Sequence, residues 1–172
     1  MNYTVLENVL DFELSENIKN IMSSNDFPWY YLPNISGEDD NERFHFTHML
    51  SYREEHSKWY EYMALPIIKK IPREGGVGIN VHRVKVNLFV KEKENLPSKK
   101  HTDEAFPHKV ALYYVNTNNG YTLLYGDKEN IKIPSIQNNM LILDGSLPHS
   151  AVSQTDTKIR MGVNITYNII HE

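Results

Sequence analysis

The rhythm of apolar and polar positions changes near residue 77. Before it, apolar residues recur at helical spacing in two places. Leu14, Ile18, Ile21 and Met22 fall at i, i+4, i+7 and i+8, which predicts a short helix over 14–22. Ser15 followed by Ile18 lacks the acid that would complete a capping box there. Trp59, Tyr62, Met63, Ile67 and Ile71 mark a second stripe over 55–71, in which Pro66 predicts a kink or a new first turn. Between the two, Phe27-Pro28-Trp29-Tyr30-Tyr31-Leu32-Pro33 is too rich in proline for a helix or a central strand, and 37–42 reads as a solvated acidic loop.

After residue 77 the period becomes two. The run 77–90 alternates as a long strand, with a phase slip at Val81-His82 that a bulge would absorb. Shorter strand patterns follow at 109–116, 121–125, 130–133, 140–143, 150–153 and 158–170, separated by turn residues such as Asn119-Gly120, Gly126-Asp127 and Asp144-Gly145. About eight short strands at this spacing predict a mainly β sandwich or barrel, with the N-terminal helices packed on one sheet. The expected organisation is one domain over 1–172: a helical, aromatic support over 1–75 and a β core over 76–172.

Composition narrows the chemistry. A chain of 172 residues with 40% hydrophobic content buries its own core without staples, and the lack of cysteine removes thiolate metal sites, thiol catalysis and disulfides. A net charge of −4 and a pI near 6.1 give no basic footprint, so nucleic acid is not favoured as a partner, although a local basic loop leaves it open. No run approaches the roughly 18 apolar residues of a membrane span, and the first residues lack a basic segment before an apolar one. A cytoplasmic protein is expected.

The candidate chemistry lies in His101-Thr102-Asp103, then His149, then Arg160. Residues i and i+2 of an extended segment point the same way, so His101 and Asp103 can face one ion while His149 comes from another strand. Two imidazoles and a carboxylate suit non-haem Fe(II), leaving open positions for a bidentate co-substrate and O2. The tripeptide alone is weak: 8 histidines and 22 acids in 172 positions yield about one His-x-Asp/Glu by chance. Its context carries the weight, because His149 opens a later strand and Arg160 lies inside the last long one. Arg160 also fits a surface position on an edge strand, and Tyr113 and Tyr114 point to opposite faces, so alternation admits only one of them to a pocket. Asn87 and Asn164 are polar positions on apolar strands, suited either to a substrate or ligand-supporting contact or to an exposed face.

These residues, with Tyr113-Tyr114-Val115-Asn116, Asn119-Gly120-Tyr121-Thr122, Leu143-Asp144-Gly145-x-x-Pro148-His149 and Arg160-Met161-Gly162-Val163-Asn164, resemble the 2-oxoglutarate- and Fe(II)-dependent oxygenases, in particular the prolyl 4-hydroxylase-like branch. Phe27-Pro28-Trp29-Tyr30-Tyr31 and Phe46-Thr47-His48-Met49 are similar to the leader of small stand-alone members often encoded by phages. The resemblance implies a double-stranded β-helix, or jelly roll. It implies Fe(II) on His101, Asp103 and His149, with 2-oxoglutarate held through its distal carboxylate by Arg160 and Tyr114 in a pocket lined by Thr122. It further implies O2 as oxidant, release of succinate and CO2, and hydroxylation of a peptide, protein or small molecule, a prolyl residue being the family's pattern. Two positions depart from the family: Asn119 stands in the usual Gly-Gly turn, where its tolerance of left-handed conformations would serve, and Gly162 replaces a serine often found two residues after the arginine.

Other readings stand beside this one. The lysine-rich loop 91–100 is either a substrate flap or, as its four lysines and two glutamates suggest, a solvated hairpin loop. Trp29, Tyr30 and Tyr31 either wall the substrate groove or pack the core, and His45, His48, His56, His82, His108 and His171 are not expected to be ligands. A cupin-type metal enzyme without 2-oxoglutarate would give Arg160 no task, and a non-catalytic jelly-roll binding module would hold no metal. Oligomeric state leaves no sequence signal.

Overall fold

The computed structural model describes residues 3–35 and 43–172; the acidic run 37–42 lies outside the described residues. The elements in chain order are β1 (Tyr3–Leu6), α1 (Phe12–Met22), β2 (Tyr30–Leu32), β3 (His45–Tyr52), β4 (Glu55–His56), a π-type turn (Tyr60–Ala64), α2 (Leu65–Ile68), β5 (Gly78–Val90), β6 (Lys109–Tyr114), β7 (Asn118–Tyr125), β8 (Asn130–Ser135), β9 (Met140–Asp144), β10 (His149–Val152) and β11 (Ile159–Ile170). A large antiparallel sheet runs β1-β9-β6-β11-β5-β3-β2, with β4 paired to β3, and a small one runs β10-β7-β8. The fold is mainly β.

Alternation on the central strands sorts the large sheet into two faces. Val84 and Val86 of β5, Ala111 and Tyr113 of β6, and Met161, Val163, Ile165 and Tyr167 of β11 belong to one hydrophobic cluster with Ile18 and Met22 of α1 and Ile67 and Ile68 of α2. The opposite face, toward the small sheet, carries Val110 and Tyr114 of β6 and packs them with Leu124 and Ile133. On β5 and β11 that inward parity belongs instead to Arg83, Lys85, Asn87 and Phe89, and to Arg160, Gly162 and Asn164. Polar inward positions on two adjacent strands, pinned by a register of Gly162 against Asn87 and Asn164 against Lys85, open a pocket between the sheets.

The predicted long strand begins at Gly78, and its phase slip is a bulge: Thr166 pairs with Arg83 and Tyr167 with Val81, leaving His82 extra. The N-terminal third departs from the helical support expected of it, since it contributes four strands to the large sheet. The stripe over 55–71 is one reason. Arg53 and Glu54 take φ of 49° and 68° as the central pair of a tight hairpin that returns β4 onto β3, a turn that Asn-Gly usually signals and Arg-Glu does not. Helical geometry therefore starts only at Tyr60, and Pro66 opens the first turn of α2. In α1 the cap is Asp11, whose carboxylate accepts from the Leu14 amide at 2.9 Å, three residues before the expected start. No helix among the described residues is long and apolar enough to cross a membrane.

Candidate metal and co-substrate site

Chain segment 96–101 runs beside β10 and carries His101 to His149. Ser98 N donates to Ala151 O at 2.8 Å, Ala151 N donates back to Ser98 Oγ at 3.1 Å, and His101 and His149 exchange both backbone bonds at 3.1 and 2.9 Å. Arg43 clamps the same segment through the carbonyls of Leu96 and Pro97. The loop 91–100 is solvated as its charge suggests, with its four lysines exposed, while its second half is pinned to β10 through the backbone.

Each imidazole has its tautomer set by the carbonyl two residues before it. His101 Nδ1 donates to Lys99 O at 2.9 Å and His149 Nδ1 to Leu147 O at 3.1 Å, which leaves Nε2 of each as the free donor atom. Asp103 is held by one oxygen only: Oδ1 accepts from Arg83 at 2.8 Å and from Asn164 Nδ2 at 3.0 Å. Its Oδ2 is buried, has no hydrogen bond, and stands 3.4 Å from His149 Nε2. Burial alone would raise the Asp103 carboxyl, but His149, Arg83 and His101 hold it well below the usual carboxylate range. For His149, burial pulls downward and the Asp103 carboxylate more than offsets it, so its imidazole lies above the ordinary value; burial lowers His101.

These observations test the fit of a metal. Two donors on one first-row ion at about 2.1 Å stand roughly 3–3.4 Å apart, which is the spacing of His149 Nε2 and Asp103 Oδ2. The rings of His101 and His149 lie 4.8 Å apart, centroid to centroid. Among the described residues no group of three or more His, Asp or Glu side chains stands close enough together to hold a metal ion without rearrangement. The donor chemistry fits, with two lone-pair imidazole nitrogens and one orphaned, ionised oxygen on one wall of the pocket.

That pocket also reaches Arg160, Tyr114 and Thr122. Arg160 is buried and stacks over Phe89 at 5.7 Å, and its Nη1 donates to Val152 O at 2.7 Å. No carboxylate pairs with it among the described residues, and burial lowers it to about 10. Tyr114 donates to Thr122 Oγ1 at 2.9 Å, whereas Tyr113 points to the helical side, donating to Ser15 Oγ and Asn138 Oδ1 at 3.1 Å each. Asn87 lines the pocket beside Thr47. All eight predicted site residues therefore meet in one pocket.

Asn119-Gly120, expected as a turn, lies inside β7 at a register irregularity against β8, and neither residue has a positive φ. Gly120 is required for space: a Cβ there would lie 2.8 Å from Val152 O and 3.2 Å from Arg160 Cδ. Trp29, Tyr30 and Tyr31 do not line the pocket; Trp29 packs on Phe27 and donates to Met22 O, while the two tyrosines are exposed. Residues that the sequence reading passed over do line it: Lys85, Phe89 and His45, the last stacked on Phe89 at 5.4 Å. The signal was present, since 83, 85, 87 and 89 share one parity on β5.

The chain matches no protein-family model and no curated protein sequence. Solved structures match its fold. An oxidoreductase of the 2OG-Fe(II) oxygenase family from Burkholderia pseudomallei superposes with a TM-score of 0.75 at 9% identity, covering 98% of this chain and 86% of that one. A prolyl hydroxylase from Trichoplax adhaerens, solved with a hypoxia inducible factor oxygen degradation domain peptide fragment, gives 0.70 at 17% identity over 97% and 83%. The viral collagen prolyl hydroxylase of Paramecium Bursaria Chlorella virus-1, solved as its 2OG complex, gives 0.61 at 12% identity over 97% and 96%. The fold is that of the 2-oxoglutarate and iron(II) oxygenases, prolyl hydroxylases among them.

Proposed function

We propose that this chain, acting as one domain, is a non-haem Fe(II)- and 2-oxoglutarate-dependent oxygenase that hydroxylates an organic substrate with release of succinate and CO2. The observation that carries the reading is Arg160: a buried guanidinium with no acid partner among the described residues, at the far end of a pocket whose other wall holds His101, Asp103 and His149. A buried cation without an anion is costly, and a dicarboxylate entering the pocket supplies that anion. The cupin-type alternative gives Arg160 no ligand, and a non-catalytic module gives Asp103 Oδ2 none. The shared fold supports the same reading.

In this proposal His101 Nε2, His149 Nε2 and Asp103 Oδ2 hold the Fe(II), and Arg83 and Asn164 fix the free oxygen of Asp103 so that the other stays aimed at the metal. Bound Fe(II) with 2-oxoglutarate and O2 supplies the oxidising power. Arg160 offers its fork to the distal carboxylate, and the Tyr114 hydroxyl turns its proton from Thr122 Oγ1 to the same group. Phe89 and Tyr114 exclude water from that end. A peptide or protein substrate is consistent with the prolyl hydroxylase fold, and a prolyl residue is the first candidate.

The test is anaerobic addition of Fe(II) and then 2-oxoglutarate to the protein, followed in the visible range. A metal-to-ligand charge-transfer band that needs both additions is expected. A spectrum unchanged by 2-oxoglutarate overturns the proposal.

A further inference from the structure

Lys85 is the one pocket cation that the proposed chemistry leaves without a task. It lies mid-strand on β5 with inward parity, between Met49 of β3 and Asn164 of β11 in register. It lines the pocket, yet among the described residues its ammonium has no hydrogen bond and no ion-pair partner. The nearby acids are engaged elsewhere: Arg83, two residues along, takes Asp103 at 2.8 Å and Glu104 at 2.9 Å. Burial and the Arg83 charge push Lys85 below its ordinary value, so the protein by itself does little to stabilise the ammonium.

Position decides what the ammonium faces. Arg160 pairs across the sheet with Phe89, four residues further along β5 than Lys85, about 13 Å at the rise of a strand. Lys85 instead shares its row with Asn164, which holds Asp103, and with Met49, which is 41% exposed. Lys85 therefore lies on the Asp103 side of the pocket, one row from the residues that hold that carboxylate, and away from the Arg160 end. We propose that Lys85 is an anion subsite for the primary substrate, and that the molecule oxidised carries a carboxylate close to the carbon that reacts. The inference rests on the oxygenase reading and adds the substrate's chemical class. A carboxylate suits the site better than a phosphate. A single ammonium is a point charge, Arg83 is already committed, and Asp103 and Glu104 disfavour a second negative charge. The carboxylate belongs either to a free acid, such as an amino acid, or to an acidic side chain in a peptide.

The experiment uses protein loaded anaerobically with Fe(II) and 2-oxoglutarate, with perturbation of the charge-transfer band as the binding signal. Probes come in pairs that differ only in charge: free L-amino acids, proline included, against their carboxamides, and capped peptides with an internal glutamate against the same peptides with glutamine. The expected result is that acids of one set bind about tenfold or more tightly than their neutral partners. Lys85→Gln should erase the preference while still forming the band, and Lys85→Arg should keep it. The set that responds identifies the source of the carboxylate. A panel in which no acid binds better than its neutral partner overturns the proposal, as does a preference that survives Lys85→Gln. If Lys85→Gln weakens 2-oxoglutarate as much as loss of Arg160 does, Lys85 serves the co-substrate and the proposal also fails. Failure of the underlying oxygenase reading is separate: the wild-type band would never appear.

Discussion

Arg160 carries its charge into a pocket where no acid among the described residues pairs with it, so its geometry should matter as well as its sign. Arg160→Lys keeps the charge but loses the two-pronged fork and the stacking on Phe89, and should weaken 2-oxoglutarate by about tenfold; Arg160→Ala should weaken it further. Equal affinity in wild type and both variants, measured by titrating the charge-transfer band, would return Arg160 to a purely structural role. Tyr114 gives a sharper test at the same scale. Its loss in Tyr114→Phe removes one bond to a charged group, roughly 1.5–3 kcal/mol or about tenfold to a hundredfold in co-substrate affinity, while Tyr113→Phe should cost stability and leave affinity alone. Alternation limits the choice to one of these two tyrosines but cannot say which; only the family resemblance names Tyr114. Register decides it, and register is set by distant partners, Ser15 and Asn138, that hold the Tyr113 hydroxyl on the helical side. Lys85 was harder to see, because one lysine on a strand looks like a solvent contact until its face is known to be the inner one.

Among the elements, the strands with strong alternation were legible to within three residues, down to the bulge at His82. What stayed hidden were elements defined by pairing rather than by their own pattern. β3 has both faces covered, with His45 and Thr47 on one side and His48 and Leu50 on the other, so its apolar residues do not alternate cleanly. The turn between β8 and β9 shows how a single residue can tie such pieces together. Asn138, at φ 64°, accepts from Leu10 N at 2.9 Å, donates to Leu10 O at 2.8 Å and accepts from Tyr113, joining the start of the chain to the strand that carries Tyr114. Asn138→Ala should lose about 2 kcal/mol or more of stability, because it strands buried partners and forces a left-handed backbone on alanine. Asn138→Gly loses the same side-chain bonds but not the backbone tolerance, so it should recover about 1 kcal/mol of that loss. Urea unfolding of the two variants measures both, and equal stability of Ala and Gly at this position would remove the backbone part of the account.

At the scale of the whole molecule, the two sheets are separate strand ladders, and the site lies where they come together: His101 and His149 approach from the small-sheet side, Arg83 and Asn164 from the large sheet, and Asp103 between them. A ligand bridging these groups binds the folded state and not the unfolded one, so it should stabilise the protein as a whole. At a hundredfold excess over its dissociation constant the gain is about 2.7 kcal/mol, which for a chain of this size raises the melting temperature by roughly 5–10 °C. The expectation is stepwise. Mn(II), a redox-quiet stand-in for Fe(II), should raise the melting temperature of wild type, and 2-oxoglutarate should raise it again only once the metal is present. His149→Ala should fold but lose both increments, since a ligand on the pocket wall supports the site more than the core. Arg160→Ala should keep the metal increment and lose most of the second. The order of dependence is the discriminating readout. If 2-oxoglutarate stabilises wild type equally without metal, the co-substrate does not bridge to the His101, Asp103 and His149 corner. If Mn(II) stabilises His149→Ala as it does wild type, the metal binds somewhere else.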